Sequence, residues 1–78
     1  MIPSGEYLNI YNLTNRFLSI NSEDGSPRVR MSPYSSTTID YVNVQFDDTF
    51  LNEASIYLTK GYIEIKVRGK ALTADDLI

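Results

Sequence analysis

The arms of ASIYLTKGYIEIKVR, residues 54–68, match each other when the chain folds back at Lys60-Gly61. Pairing Leu58 with Ile63, Ile56 with Ile65 and Ala54 with Val67 puts the aliphatic residues on one face. Ser55, Tyr57, Thr59, Tyr62, Glu64 and Lys66 fall on the other. A slip of one residue would mix the faces, so this register predicts a hairpin with a two-residue turn and Gly61 at positive φ. The competing reading is a short helix over residues 49–58 with Gly61 beyond its end, which discards the paired pattern.

Outward from this segment the alternation continues. Leu8 and Ile10 alternate with Tyr7, Asn9 and Tyr11, and Leu18 with Ile20 repeats the pattern. A three-residue loop at Leu13-Thr14-Asn15 would set Ile10 against Leu18 and Leu8 against Ile20. A turn at Asp24-Gly25 pairs Ile20 with Val29 and Leu18 with Met31, and sets Pro27 opposite Ser22. Together these turns predict a three-stranded meander. Ser32 to Ser36 reads as a loop long enough to cross between sheets. Residues 37–46 form the longest strand candidate, with a bend near Tyr41-Val42 where the apolar phase changes. After Gly69 the tail KALTADDLI carries a Thr73/Asp76 pair resembling a capping box, too short for a stable helix by itself, so the tail either frays or docks Leu72, Leu77 and Ile78 on its own core or on a neighbour.

Six Tyr, three Phe and many β-branched residues favour strands. The 78 residues are expected to form one all-β domain. Its architecture is a small sandwich or partly open barrel built from the N-terminal meander and the C-terminal hairpin. A chain of this size buries only about 60% of its unfolded surface, so its stability margin is narrow. Without Cys, disulfides cannot reinforce it, and partner subunits are the remaining common support. The run YLNIYNLTNRFLSI, residues 7–20, has a ricin-like look over a length too short to carry over a fold or an activity.

The chain has neither His nor Cys, so the usual general base, metal ligand and thiol nucleophile are absent. Asp47-Asp48 and Asp75-Asp76 are sequence neighbours whose side chains diverge in extended chain, and no calcium loop or glycine-rich phosphate loop occurs. The expectation is a protein without enzymatic activity, metal site, cofactor or small-molecule substrate. A net charge of −3 argues against a wholly polyanion-binding surface. No stretch is long or apolar enough to span a bilayer, and the N-terminus lacks a secretory signal, so the expected location is cytoplasmic.

The outer face of the meander would display Tyr7, Tyr11 and Phe17, with Tyr11 opposite Phe17, beside Arg28 and Arg30 opposite Asn21 and Ser19. Aromatic rings next to guanidinium groups suit a protein surface, because Tyr and Arg anchor interface centres. They also suit single-stranded nucleic acid, whose bases stack on rings while Arg meets phosphate. In a closed sandwich or barrel the same rings would be ordinary core. The chain is therefore read as a protein–protein interaction module, a homo-oligomer or a small subunit or inhibitor of a larger assembly. Its compact form suits a phage or mobile-element product. The alternative is a small barrel that binds single-stranded nucleic acid through the same five residues.

Overall fold

A computed structural model describes residues 7–40 and 48–77. In chain order they form β1 (Tyr7–Asn12), β2 (Leu18–Asn21), β3 (Pro27–Met31), β4 (Ser36–Asp40), α1 (Asp48–Lys60), β5 (Ile63–Val67), β6 (Lys70–Ala71) and a closing 3-10 turn (Ala74–Leu77). Strand predominates, as composition led one to expect. The strands make two antiparallel sheets, one of order β4-β1-β5-β6 and the other the β2-β3 ribbon, and they do not close into a barrel. Among the described residues no helix is long and apolar enough to cross a membrane. The expected bend at Tyr41-Val42 lies outside the described residues.

The core follows directly from alternation. Leu8 and Ile10 of β1, Ile63, Ile65 and Val67 of β5, and Ile20, Val29 and Met31 of the ribbon point inward and are buried. Leu8 pairs with Ile39 on one side and Val67 on the other, and Ile10 with Thr37 and Ile65. The meander is therefore corrected: β1 does not pair with β2. The loop at 13–15 is no hairpin turn, because Asn12 Oδ1 accepts the Thr14 N–H at 2.9 Å and turns the chain away into the second sheet. The crossing expected at residues 32–36 is present, joining β3 of the ribbon to β4 of the larger sheet.

In the ribbon, Leu18 pairs with Met31 and Ile20 with Val29, as expected. The turn differs. Gly25 N–H donates to Ser22 O at 2.9 Å, so Glu23 and Asp24 are central and Gly25, at φ +85°, follows them. This three-residue loop sets Asn21 opposite Pro27, and the register shift between Ile20 and Asn21 leaves Arg28 as the extra, bulged residue.

The largest correction concerns residues 54–60, which are helical. Phe50 and Ala54 are buried, while Leu51, Tyr57 and Leu58 pack against the core, the i, i+1, i+4, i+7, i+8 pattern of one helix face. Ile56, needed inside by the hairpin reading, is 51% exposed. Asp48 in the first turn and Lys60 in the last complement the helix dipole. The helix ends in a Schellman motif. Tyr62 N–H donates to Tyr57 O at 2.9 Å, Gly61 N–H to Leu58 O at 3.1 Å, and the Tyr57 and Tyr62 rings meet with centroids 6.2 Å apart. Gly61, at φ +76°, supplies the left-handed residue that this motif needs.

No atom lies within 4 Å of a Cβ built at Gly61, so substitution there strains only the backbone. Gly61→Val is expected to lose about 1–3 kcal/mol of stability in urea denaturation, the usual cost of a branched residue at positive φ. A midpoint equal to that of the parent would mean that Gly61 is not left-handed.

A C-terminal hairpin does exist, one element later than expected. β5 returns as β6 through Arg68 and Gly69, both at positive φ, and Val67 faces Lys70. Leu72 N–H then donates to Ile65 O at 2.8 Å. The tail docks: Leu77 is buried and Leu72 packs against the core, while Ile78 lies outside the described residues. Half of the expected capping box forms, with Asp76 Oδ2 accepting the Thr73 N–H at 2.7 Å. That bond, and next the Thr73 hydroxyl, hold the Asp76 carboxyl below the usual range.

Candidate functional site

The five expected site residues do not share one face. Tyr7 and Tyr11 lie on the outer face of β1, whereas Phe17, Arg28 and Arg30 belong to the ribbon. With β1 between β4 and β5, Tyr11 stands opposite Ser36 and Glu64 rather than Phe17. The bulge separates the two arginines. Arg30 stays opposite Ser19, while Arg28 lines a recess of about 400 Å³ with Ser22, Glu23 and Asp24. The Asp24 carboxyl is held low first by the Ser26 hydroxyl, then by the Ser26 N–H.

Tyr7 and Phe17 are exposed, and Tyr11 is half-buried for a local reason. The Lys66 ammonium sits 5.7 Å from the Tyr11 ring centroid and 3.4 Å from Glu64 Oε1. On the same face the Thr38 hydroxyl donates to Asn9 Oδ1 at 2.8 Å. The outer face of the larger sheet thus satisfies much of its own polar chemistry, and one face of the Tyr11 ring is already covered.

A different group of residues gathers at one end of the molecule. The antiparallel registers bring the end of β1, the starts of β2, β4 and β5 and the end of β3 to that end. Three connections meet there: residues 13–17, the turn 32–35, and the junction at Tyr62. Leu13 N–H donates to Tyr62 O at 2.9 Å, and Tyr34 N–H to Thr14 O at 3.1 Å. Each connection leaves large apolar side chains in solvent: Phe17 is 79% exposed and Tyr34 73%, and Leu13 and Tyr62 are also exposed.

Asn12 ties this end together from beneath. It is 2% exposed. Its Nδ2 donates to Arg16 O at 2.7 Å and Ser32 O at 3.0 Å, with a longer contact to Met31 O at 3.4 Å. Its Oδ1 accepts both the N–H and the hydroxyl of Thr14. One side chain therefore fixes the 13–17 loop and the chain entering the 32–35 turn. In that turn Ser35 N–H donates to Ser32 O, with Pro33 first and Tyr34 second of the central residues. Tyr34 has φ +54°, a conformation ordinarily left to Gly or Asn. Strain is thus held at an exposed aromatic residue. Sequence reading missed Asn12, Leu13, Tyr34 and Tyr62. The available signal was Leu and Tyr inside segments otherwise composed as loops.

Phe17 also opens onto a groove of about 510 Å³ across the outer face of the ribbon. Ser19, Asn21, Pro27, Arg30 and Ser32 line it with Phe17. No protein-family model, curated protein or solved structure matches this chain.

Proposed function

We propose that this chain is a non-enzymatic protein–protein interaction module that binds through the loop end bearing Leu13, Phe17, Tyr34 and Tyr62. The observation that carries this reading is the exposure of Leu13, Phe17 and Tyr34 on two loops anchored by one buried, fully bonded Asn12, with Tyr62 exposed beside them at the end of α1. Rigidly held aromatic anchors bind with little ordering cost, and Tyr is among the residues that dominate interface energetics. Covering each side chain would contribute on the order of 1.5–3 kcal/mol before association costs. The partner is a protein surface in the cytoplasm: a second copy, or a larger assembly in which this chain is a small subunit or inhibitor.

Binding and stability should separate at Tyr34. Tyr34→Gly relieves left-handed strain of about 1–2 kcal/mol, partly offset by the freedom Gly gains in the unfolded chain. The variant is expected to melt no lower than the parent, yet to bind at least tenfold more weakly, as is Phe17→Ser. Light scattering checks self-association. A photo-crosslinking residue at position 17 or 34, compared with position 24 at the far end of the ribbon, checks a foreign partner. A defined product from 17 and 34 alone is expected. Equal products from all three positions, or a monomer with none, would end this reading.

The nucleic-acid alternative keeps Phe17 beside Arg30 in one groove. It loses the covered Tyr11 ring, and Arg28 sits with Glu23 and Asp24. Its signature would be an oligonucleotide complex that weakens steeply with salt.

A further inference from the structure

The groove beside Phe17 is chemically narrower than a general contact surface. Among the described residues, Arg30 is the only ionisable side chain lining it. Its guanidinium makes no hydrogen bond or ion pair with another described residue. Phe17 and Pro27 bound the groove, and Ser19, Asn21 and Ser32 add neutral hydrogen-bonding groups. We infer that this groove binds an extended peptide of the partner, seating one Asp or Glu carboxylate on Arg30 with apolar residues on either side against Phe17 and Pro27. The inference rests on the protein-binding reading and names the chemistry of that partner.

Charge selects this occupant. A guanidinium presents a planar fork of donors that matches one carboxylate in bidentate fashion. A nucleic-acid strand brings a phosphate with every nucleotide and needs a row of cations. Here the second arginine is turned to Glu23 and Asp24 and the whole chain carries a charge of −3. A single anionic group among apolar ones meets neither problem. The β2 edge away from β3 is engaged by the Tyr57 hydroxyl, which donates to Ser19 O at 3.1 Å, so a peptide meets β2 from the outer face of the ribbon and not along that edge.

Selection of a random peptide display library against the whole chain tests this. The selected sequences should share an acidic residue with apolar neighbours. Arg30→Gln, exposed and outward-facing, should melt with the parent and weaken these peptides at least tenfold. Replacing the peptide's acid by its amide should do the same, and the two changes together should cost little more than either alone. Selected peptides without a shared acid, or indifferent to Arg30→Gln, would overturn the groove while leaving the loop-end module standing. Failure to select any peptide would overturn it as well, as would Arg30-dependent binding of an oligothymidylate in place of peptides. Peptides that behave as expected, with crosslinks from position 17 but none from position 34, would retain the groove and remove the loop end.

Discussion

Asn12→Leu is expected to cost about 3 kcal/mol or more, although it exchanges a buried polar side chain for an apolar one of similar size. Asn12 is 2% exposed and uses both ends of its amide. Net contributions of roughly 1 kcal/mol per hydrogen bond already sum to several. The larger loss is what remains behind, since the Arg16 and Ser32 carbonyls would face a methyl group at the base of the loops. For a chain of 78 residues, total stability of roughly 0.05–0.15 kcal/mol per residue makes this a large fraction. Equilibrium urea denaturation measures it. Asn12→Asp sharpens the argument, because a carboxylate would point its negative oxygen at carbonyl oxygens where Nδ2 now donates. Folding should then favour the protonated acid and raise its folded pKa. Stability of this variant is greatest below the unfolded carboxyl pKa and falls as pH rises through the folded one. A variant whose stability is flat from acid to neutral pH would show that Nδ2 does not face those carbonyls.

Phe50→Ala should cost about 3–5 kcal/mol, the usual range for emptying a buried aromatic site. Phe50 is 1% exposed on the inward face of α1, which packs against β2, β5 and the closing 3-10 turn. At roughly 4–8 °C per kcal/mol for a domain of this size, the melting temperature should fall by at least about 12 °C, if a cooperative transition survives. Ile56→Ala is the paired control. Ile56 lies on the solvent side of the same helix, and its truncation should shift stability by no more than about 0.5 kcal/mol. In a 54–68 hairpin the order would reverse, with Ile56 in the core against Ile65 and Phe50 outside the paired arms. Circular dichroism melts of both variants therefore distinguish the two folds of the segment. Gly61→Val does not, since a hairpin turn and a Schellman motif both need positive φ.

The local features were legible. Alternation at Leu8-Ile10 and Ile63-Ile65-Val67 marks two strands whatever they pair with, and the Asp-Gly signal brings β2 to β3 in the core register because the partners are sequence neighbours. The crossing at residues 32–36 and the Thr73/Asp76 pair were equally readable, being short and written in Pro, Ser, Thr and Asp. Candidate site residues fared unevenly: Phe17 and Arg30 do share a surface, whereas Tyr7, Tyr11 and Arg28 do not join them.

What the residue pattern left open has three physical sources. Positions i and i+4 coincide in periods of 2 and 3.6, so Ala54 and Leu58 suit a strand and a helix alike. Burial of Phe50, far from the supposed turn, settles the segment as helix. Any alternating strand offers the same face to any other, so nothing local chooses β4 and β5 over β2 as neighbours of β1. That choice belongs to the packing of the whole core. Asn12 Nδ2 finds its partners among the backbone carbonyls of Arg16, Met31 and Ser32, and every residue carries such a group, so no side-chain pattern announces the long-range part of the knot beneath the loop end.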